Sequence, residues 1–384
     1  MKQKSNKRRP KGTGSIYYIE SRKRYAGQIT VDAGNGKQKT KTVYGRTKTE
    51  VSDRLKEIER KSLCGEYIEK DNTEFYAYAE KMIEEQLALN EIRQSSYDRK
   101  METLKMMSSI SDKELQDITE DDIKAFFISK IDYSQSSLDK MYQMFKWVFR
   151  KAVRRKIVLE SPLAEIKPPK SKQKKVKVRG LTVDEQAKLL DVLKNNEVRY
   201  SDIMLLSMFT GMRGGEVCAL NVEDINLSDK TIRVNKTISR GANGTTAVTE
   251  TKTASGMRTL YIDDNVAEFL KGCIGDRTSG LLFVSSTGKP VTTNQVNYQY
   301  SNIMKKYDIT DKNVEGKVDF HSLRHTYATR CIESGMPAKV LQRILGHSDI
   351  SITLNVYCDC FEKYENQHLK TVSEYMKANN LQIA

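Results

Sequence analysis

"DFHSLRHTYATR", residues 319–330, holds two of the chain's four histidines, His321 and His325, with Arg324 between them. The stretch reads as a helix over 320–332, with Phe320, Leu323, Tyr327 and Cys331 forming its buried stripe at helical spacing. His321 and Arg324, at i and i+3, share the flank of that stripe, and His325 lies beside His321. Two histidines at i, i+4 can hold a metal ion. No glutamate follows His321, however, so the pattern is not H-E-x-x-H and partners for an ion are missing. What remains is a preformed donor cluster, His321 and Arg324, suited to an anion.

Further donors follow and precede it. In "PAKVLQRILGHSD", Pro337 opens a helix and Gly346 stops it, so His347 emerges just past a helix end. "SDISITLNVYCD" places Tyr357 on a short helix capped by Ser348, Asp349 or Ser351. Upstream, "TGMRGGE" presents Arg213 at a break between two helices, with Glu216 able to brace the turn, and Lys252 sits near the tip of a hairpin in "TETKTASGMRTL". Taken singly, Arg213 is a surface charge, Lys252 a turn residue and Tyr357 ordinary packing. Together they are two arginines, two imidazoles, a lysine and a phenol with no acidic cage. That set suits metal-free phosphodiester cleavage by a tyrosine nucleophile.

The bulk properties agree with a polyanionic partner. Net charge is +15 over 384 residues, with 38% hydrophobic and 30% charged residues, as in a soluble globular protein of two or three domains. The longest apolar run, "IMLLSMF" at 203–209, is too short to span a bilayer, and the basic N-terminus lacks the apolar core of a secretory signal, so a cytoplasmic protein is expected. Six scattered cysteines read as reduced thiols, and the Cys358-x-Cys360 pair has no second pair to complete a zinc site, so no metal and no cofactor are expected.

Charge is also unevenly placed. Residues 1–71 hold 19 Lys/Arg against 9 Asp/Glu, and after a basic tail they read as a short three-stranded sheet plus one helix capped at Thr47 or Thr49. A β-sheet face is a known way to dock DNA. Residues 72–166 carry four helical patterns, with Thr119 and the acidic triplet Glu120-Asp121-Asp122 capping one of them. Residues 167–180, "KPPKSKQKKVKVRG", form an extended basic linker able to lie along phosphates. From 181 to 384 helices flank a set of strands, beginning with a helix capped by Thr182. The expected class is multidomain and mainly α with small β-sheets.

The order of these motifs resembles the tyrosine recombinase family of phage and conjugative transposon integrases. The resemblance rests on Arg213 in "TGMRGGE", Lys252 in its hairpin, "HSLRHTYAT" with His321 and Arg324, "LGHSD" with His347, and "ITLNVY" with Tyr357. It covers the whole chain. It implies an arm-type DNA-binding domain over 1–71, a four-helix core-binding domain over 72–166, the linker over 167–180, and a mixed α+β catalytic domain with a tail helix over 181–384. Two departures are visible. Gly214 follows Arg213 where the family commonly has an apolar residue, and "ESPL" stands where Asn-Pro is usual.

The resemblance also implies roles. Arg213, Arg324 and His347 would grip the scissile phosphate, His321 would take or share the proton of the Tyr357 nucleophile, and Lys252 would protonate the leaving 5′ oxygen. Expected partners are double-stranded DNA attachment sites, three further copies in a homotetramer with exchanged C-terminal tails, and an excisionase or DNA-bending accessory protein. A type IB topoisomerase shares this chemistry, and a DNA-binding regulator on an inactive recombinase fold is the rival from another class. The arm-like N-terminus and "LGHSD" count against the first, and the filled catalytic positions against the second.

Overall fold

The computed structural model describes residues 15–381 except 33–37, 175, 241–244 and 251–255, with the backbone alone at 32, 240, 357–368, 370 and 371. The chain divides into two compact units, Met1–Lys175 and Val176–Ala384.

In the first unit, β1 (Ser15–Ile19), β2 (Arg24–Asp32) and β3 (Gln38–Gly45) make an antiparallel sheet in the order β1-β2-β3. Strand alternation sends Ile29 and Val31 inward against Val51 and Leu55 of α1 (Lys48–Leu63), forming a small apolar core. Of the two cap candidates, Thr47 is the one used, its hydroxyl accepting from Glu50 N at 3.2 Å. On the opposite face the register aligns Tyr17, Ala26 and Tyr44. The two tyrosines are exposed and Ala26 is fully covered. Arg24 stacks over the Tyr44 ring at 4.4 Å, so a cation and two phenols decorate the outer face.

Four helices complete this unit: α2 (Phe75–Ala88), α3 (Gln94–Met106), α4 (Glu120–Ser129) and α5 (Gln135–Arg154). Their core is aromatic. Phe145 of α5 lies 5.2 Å from Phe75, 5.3 Å from Phe126 and 5.7 Å from Phe127, ring centre to ring centre. The acidic triplet opens α4 as expected, with Thr119 and Asp122 in a reciprocal capping box. Hydrogen bonds from Lys113 and from Thr119 hold the Asp122 carboxyl down to about 2.

The second unit begins with a clamp. The Arg179 guanidinium forks onto Glu185 at 2.6 and 2.7 Å, and Glu185 in turn closes the capping box of α6 (Val183–Asn195) with Thr182. Then come α7 (Ser201–Thr210), α8 (Gly214–Cys218) and a three-stranded antiparallel sheet of β4 (Ile225–Asn226), β5 (Thr231–Val234) and β8 (Arg258–Tyr261). A separate hairpin, β6 (Lys236–Arg240) and β7 (Thr246–Glu250), is inserted between β5 and β8. The unit ends with α9 (Asp264–Ile274), α10 (Thr293–Lys306), α11 (Ser322–Glu333), α12 (Ala338–Leu345) and α13 (Ile350–Ala378). A continuous apolar core joins α7, α8, β5, β8 and α10 to Phe320 and Leu323.

One local expectation needs correction. The helix carrying Tyr357 is not short: α13 runs for 29 residues, because no Gly or Pro interrupts it before Ala378. Asp349 is its cap, its carboxylate accepting from Ser351 N at 2.9 Å. Arg324 lies beside the buried stripe and is itself covered, at 4% exposure, because α7 and α12 offer backbone acceptors to its guanidinium there, whereas His321 stays exposed.

Candidate active site

The site is assembled from helix ends. Arg213 is the N-cap of α8: its backbone N–H donates to Glu216 Oε2 at 2.9 Å and its Nη1 to Glu216 Oε1 at 2.8 Å. The brace expected of Glu216 is therefore double. Gly214 follows Arg213 for a physical reason. A Cβ added to it would stand 2.4 Å from Phe320 Cε1, so the ring leading into α11 occupies the space a side chain would need. That ring seats "HSLRH" directly on the turn carrying Arg213.

Arg324 reaches in from α11, its Nη1 donating to Gly211 O at 2.8 Å and its Nη2 to Leu345 O at 2.6 Å. Both acceptors are helix-end carbonyls, from α7 and α12, which otherwise lack partners. Burial, followed by the Arg213 charge, holds Arg324 down to about 9. At neutral pH the guanidinium is still charged. Arg213 also donates from Nη2 to Gly346 O at 2.9 Å, so both arginines of the sequence reading meet at the end of α12. Gly346 adopts φ +66, a left-handed conformation that lets the chain leave α12 and turn into His347.

His347 Nδ1 lies 2.9 Å from the Thr353 hydroxyl on α13, and Thr353 is fully buried. Burial, then Arg324 and Arg213, push His347 down to about 4. His321 stands at the N-terminal edge of α11, its ring 5.0 Å from that of His325 in an edge-to-face contact. His321 is exposed at that edge, and the neighbouring protein, then the charges of His325 and Arg324, lower its pKa below the ordinary histidine value. Both imidazoles are therefore neutral at neutral pH. Tyr357 lies one helical turn beyond Thr353 on α13. Lys252 falls between β7 and β8, outside the described residues.

Two participants escaped the sequence reading. Arg258 of β8 is buried at 6% side-chain exposure and forks onto Glu216 at 2.8 and 3.1 Å. Strand alternation carried the signal: Arg258 and Leu260 share one face, and Leu260 is buried. Thr353 is the second. It precedes Tyr357 by one turn, but nothing local marks a threonine as a histidine's partner. Glu216 itself is 3% exposed. Burial raises its pKa, but the hydrogen bond and charge of Arg258 and the charge of Arg213 outweigh that, and the carboxylate stays ionised.

Arg213, Arg324 and His347 thus gather at the end of α12 around one buried carboxylate that Arg258 also pairs, with His321 at the nearby edge of α11. The Phage integrase family matches residues 179–363, and the phage integrase SAM-like domain matches residues 74–172. Tyrosine recombinase XerD of Staphylococcus epidermidis is 32% identical over 228 residues, spanning 58% of this chain and 72% of its own length. Two further curated relatives are spanned over 66% and 54% of their lengths. Among solved structures, the Tn1549 transposon integrase in complex with a circular intermediate DNA superposes with a TM-score of 0.65 at 20% identity, covering 74% of this chain and 94% of that one. A lambda integrase tetramer bound to a Holliday junction superposes at 0.55 and 19% identity, covering 91% and 96%. The chain belongs to the tyrosine recombinase family of phage and transposon integrases.

Proposed function

We propose that the chain is a site-specific DNA recombinase that cuts and rejoins duplex DNA through a 3′-phosphotyrosine intermediate, integrating and excising a mobile element such as a prophage or conjugative transposon. The observation that carries this reading is the meeting of Arg213, Arg324 and His347 at one end of α12, with Glu216 and Thr353 bracing two of them.

A guanidinium offers five N–H donors, and hydrogen bonds to backbone carbonyls leave Arg213 and Arg324 with donors for the non-bridging oxygens of a phosphodiester. Their charge matches the extra negative charge of a pentavalent transition state. In the neutral tautomer whose Nδ1 accepts from the Thr353 hydroxyl, His347 carries a proton on Nε2 to give to the same oxygens. The Tyr357 oxygen attacks phosphorus, its proton passes to the neutral ring of His321, and the bond to the 5′ oxygen breaks as Lys252 protonates it. A 5′ hydroxyl from another strand then reverses the step, so neither nucleotide triphosphate, metal nor other cofactor is required.

The domain reading follows the same lines: an arm-type DNA-binding domain over 1–71, a core-binding domain over 72–166, the basic linker over 167–180 and the catalytic domain over 181–384. The outer face of the N-terminal sheet, with Arg24, Tyr17 and Tyr44, would meet duplex DNA. Four copies would act on two attachment sites, the exposed Leu369, Val372, Tyr375 and Met376 of α13 packing into a neighbouring subunit. An excisionase or DNA-bending protein would set direction, in the bacterial cytoplasm.

The test is covalent trapping on nicked duplexes selected by the protein from a randomised pool. Tyr357→Phe is expected to keep specific binding and form no adduct. Arg213→Ala and Arg324→Ala are expected to slow cleavage by about 10²- to 10⁴-fold while binding largely survives. Normal cleavage by Tyr357→Phe would overturn the nucleophile assignment, and loss of wild-type cleavage in a chelator would overturn metal independence.

A further inference from the structure

Three consecutive carbonyls at the C-terminal end of α12 each accept from a different arginine. Ile344 O takes Arg258 Nε at 2.6 Å, Leu345 O takes Arg324 Nη2 at 2.6 Å, and Gly346 O takes Arg213 Nη2 at 2.9 Å. The last carbonyls of a helix lack intrahelical partners and carry the negative end of its dipole, so they form a ready seat for cations. The three arginines come from α11, the cap of α8 and the first residue of β8, elements far apart in sequence. One helix end sets their spacing.

Arg258 differs from the other two. Its Nε binds Ile344 O, its Nη1 binds Glu216 Oε1 and Gly256 O, and its Nη2 binds Glu216 Oε2. Arg324 is as deeply buried as Arg258, so the difference is one of pairing: every nitrogen of the Arg258 guanidinium is engaged by protein, whereas the bonds of Arg324 come from Nη1 and Nη2 and those of the Arg213 side chain likewise. Arg258 is therefore not built to touch a ligand. It also decides what Glu216 can do. A carboxylate facing a single guanidinium draws it into a two-pronged pair, the preferred geometry of both groups. Here Arg258 covers both carboxylate oxygens, and the Arg213 side chain bonds only Oε1.

Resting on the recombinase reading above, we infer that Arg258 is a positioning residue: it ties Glu216 to the end of α12 and keeps Arg213 from closing onto Glu216, so that Arg213 and Arg324 face one phosphate together. Its loss would leave the reactive groups in place but misaligned. Misplacement of about 1 Å in such a site costs roughly 10²-fold in rate.

The experiment is single-turnover covalent cleavage by the full chain, on the duplexes selected by the wild type, for Arg258→Ala and Arg258→Lys. The rate at saturating DNA is expected to fall about 10- to 100-fold for Arg258→Ala, with the dissociation constant changed by less than about 3-fold. Added guanidinium ion at non-denaturing concentration is expected to restore much of the Arg258→Ala rate, because it can refill the seat between Glu216 and Ile344. Arg258→Lys should keep the charge but recover only part of the rate, since an ammonium cannot serve two carboxylate oxygens and a carbonyl in one plane. An unchanged rate, weakened DNA binding at constant rate, or a melting-point drop with no guanidinium rescue would each overturn the inference. A wild-type protein that forms no adduct on any selected duplex removes the recombinase reading and the inference with it, whereas wild-type adduct with an unaffected Arg258→Ala removes the inference alone.

Discussion

The two units bury different chemistry. Apart from two tyrosines, Thr103 is the one buried polar side chain among the described residues of the first unit, whose helices close on an aromatic core centred on Phe145. The second unit buries Glu185, Glu216, Asp224 and Arg324. Taking charges out of water is unfavourable, and well-packed apolar side chains would stabilise the same volume as well or better. Stability alone thus gives no reason for the ionic interior of the second unit. Holding charges at fixed positions does.

That contrast can be broken most severely at Glu216. Glu216→Ala leaves buried Arg258 without its counterion, and the second unit is expected to lose about 3–5 kcal/mol along with most cleavage activity. Phe145→Ala, a cavity in the first unit, is expected to cost a similar ~3–5 kcal/mol. It should lower only the first unit's transition in calorimetry and leave the covalent chemistry of bound complexes intact. If both variants damaged both units equally, the division of labour would be wrong.

Acid should separate the units next. His347 is held down to about 4 in the folded second unit, against an ordinary histidine value near 6.5. Between those values the unfolded chain binds protons that the folded one refuses, so the second unit loses stability as pH falls from about 6.5 toward 4. In the first unit Asp122 is held down to about 2. Its contribution is present above the ordinary carboxylate value and is lost only as pH falls through about 4 toward 2. Calorimetric scans between pH 7 and 4 are expected to show the second unit's transition moving first, and replacing His347 by glutamine should reduce that movement. The smallest effect is expected from Thr119→Ala, which removes one half of the α4 capping box and should lower the first unit's stability by about 1 kcal/mol, read from its own transition.

Much of the site was legible because its residues sit in long, locally patterned motifs. "HSLRH", "LGHSD" and "TGMRGGE" placed His321, Arg324, His347 and Arg213, and all four stand at helix ends or just inside them. The caps at Thr47, Thr119 and Thr182 were equally readable, since a cap is decided by a residue and its next three neighbours. Less visible was anything that depends on which elements meet. Arg258 looked like a strand residue near a turn, Thr353 like an ordinary helix position, and nothing local showed that carbonyls from two other helices would cover Arg324.

By itself, the order of residues determined the helix and strand periods, the caps, the basic N-terminal and linker segments, and the motif set that marks the family. These are short-range properties, governed by dihedral preferences and by side chains a few positions apart. Tertiary structure alone decided that three arginines from three elements converge on the last carbonyls of α12, and that Glu216 stays ionised among them. A helix end offers its unpaired carbonyls to whatever the fold brings near, and the charge state of a buried group is set by neighbours that contribute from far along the chain.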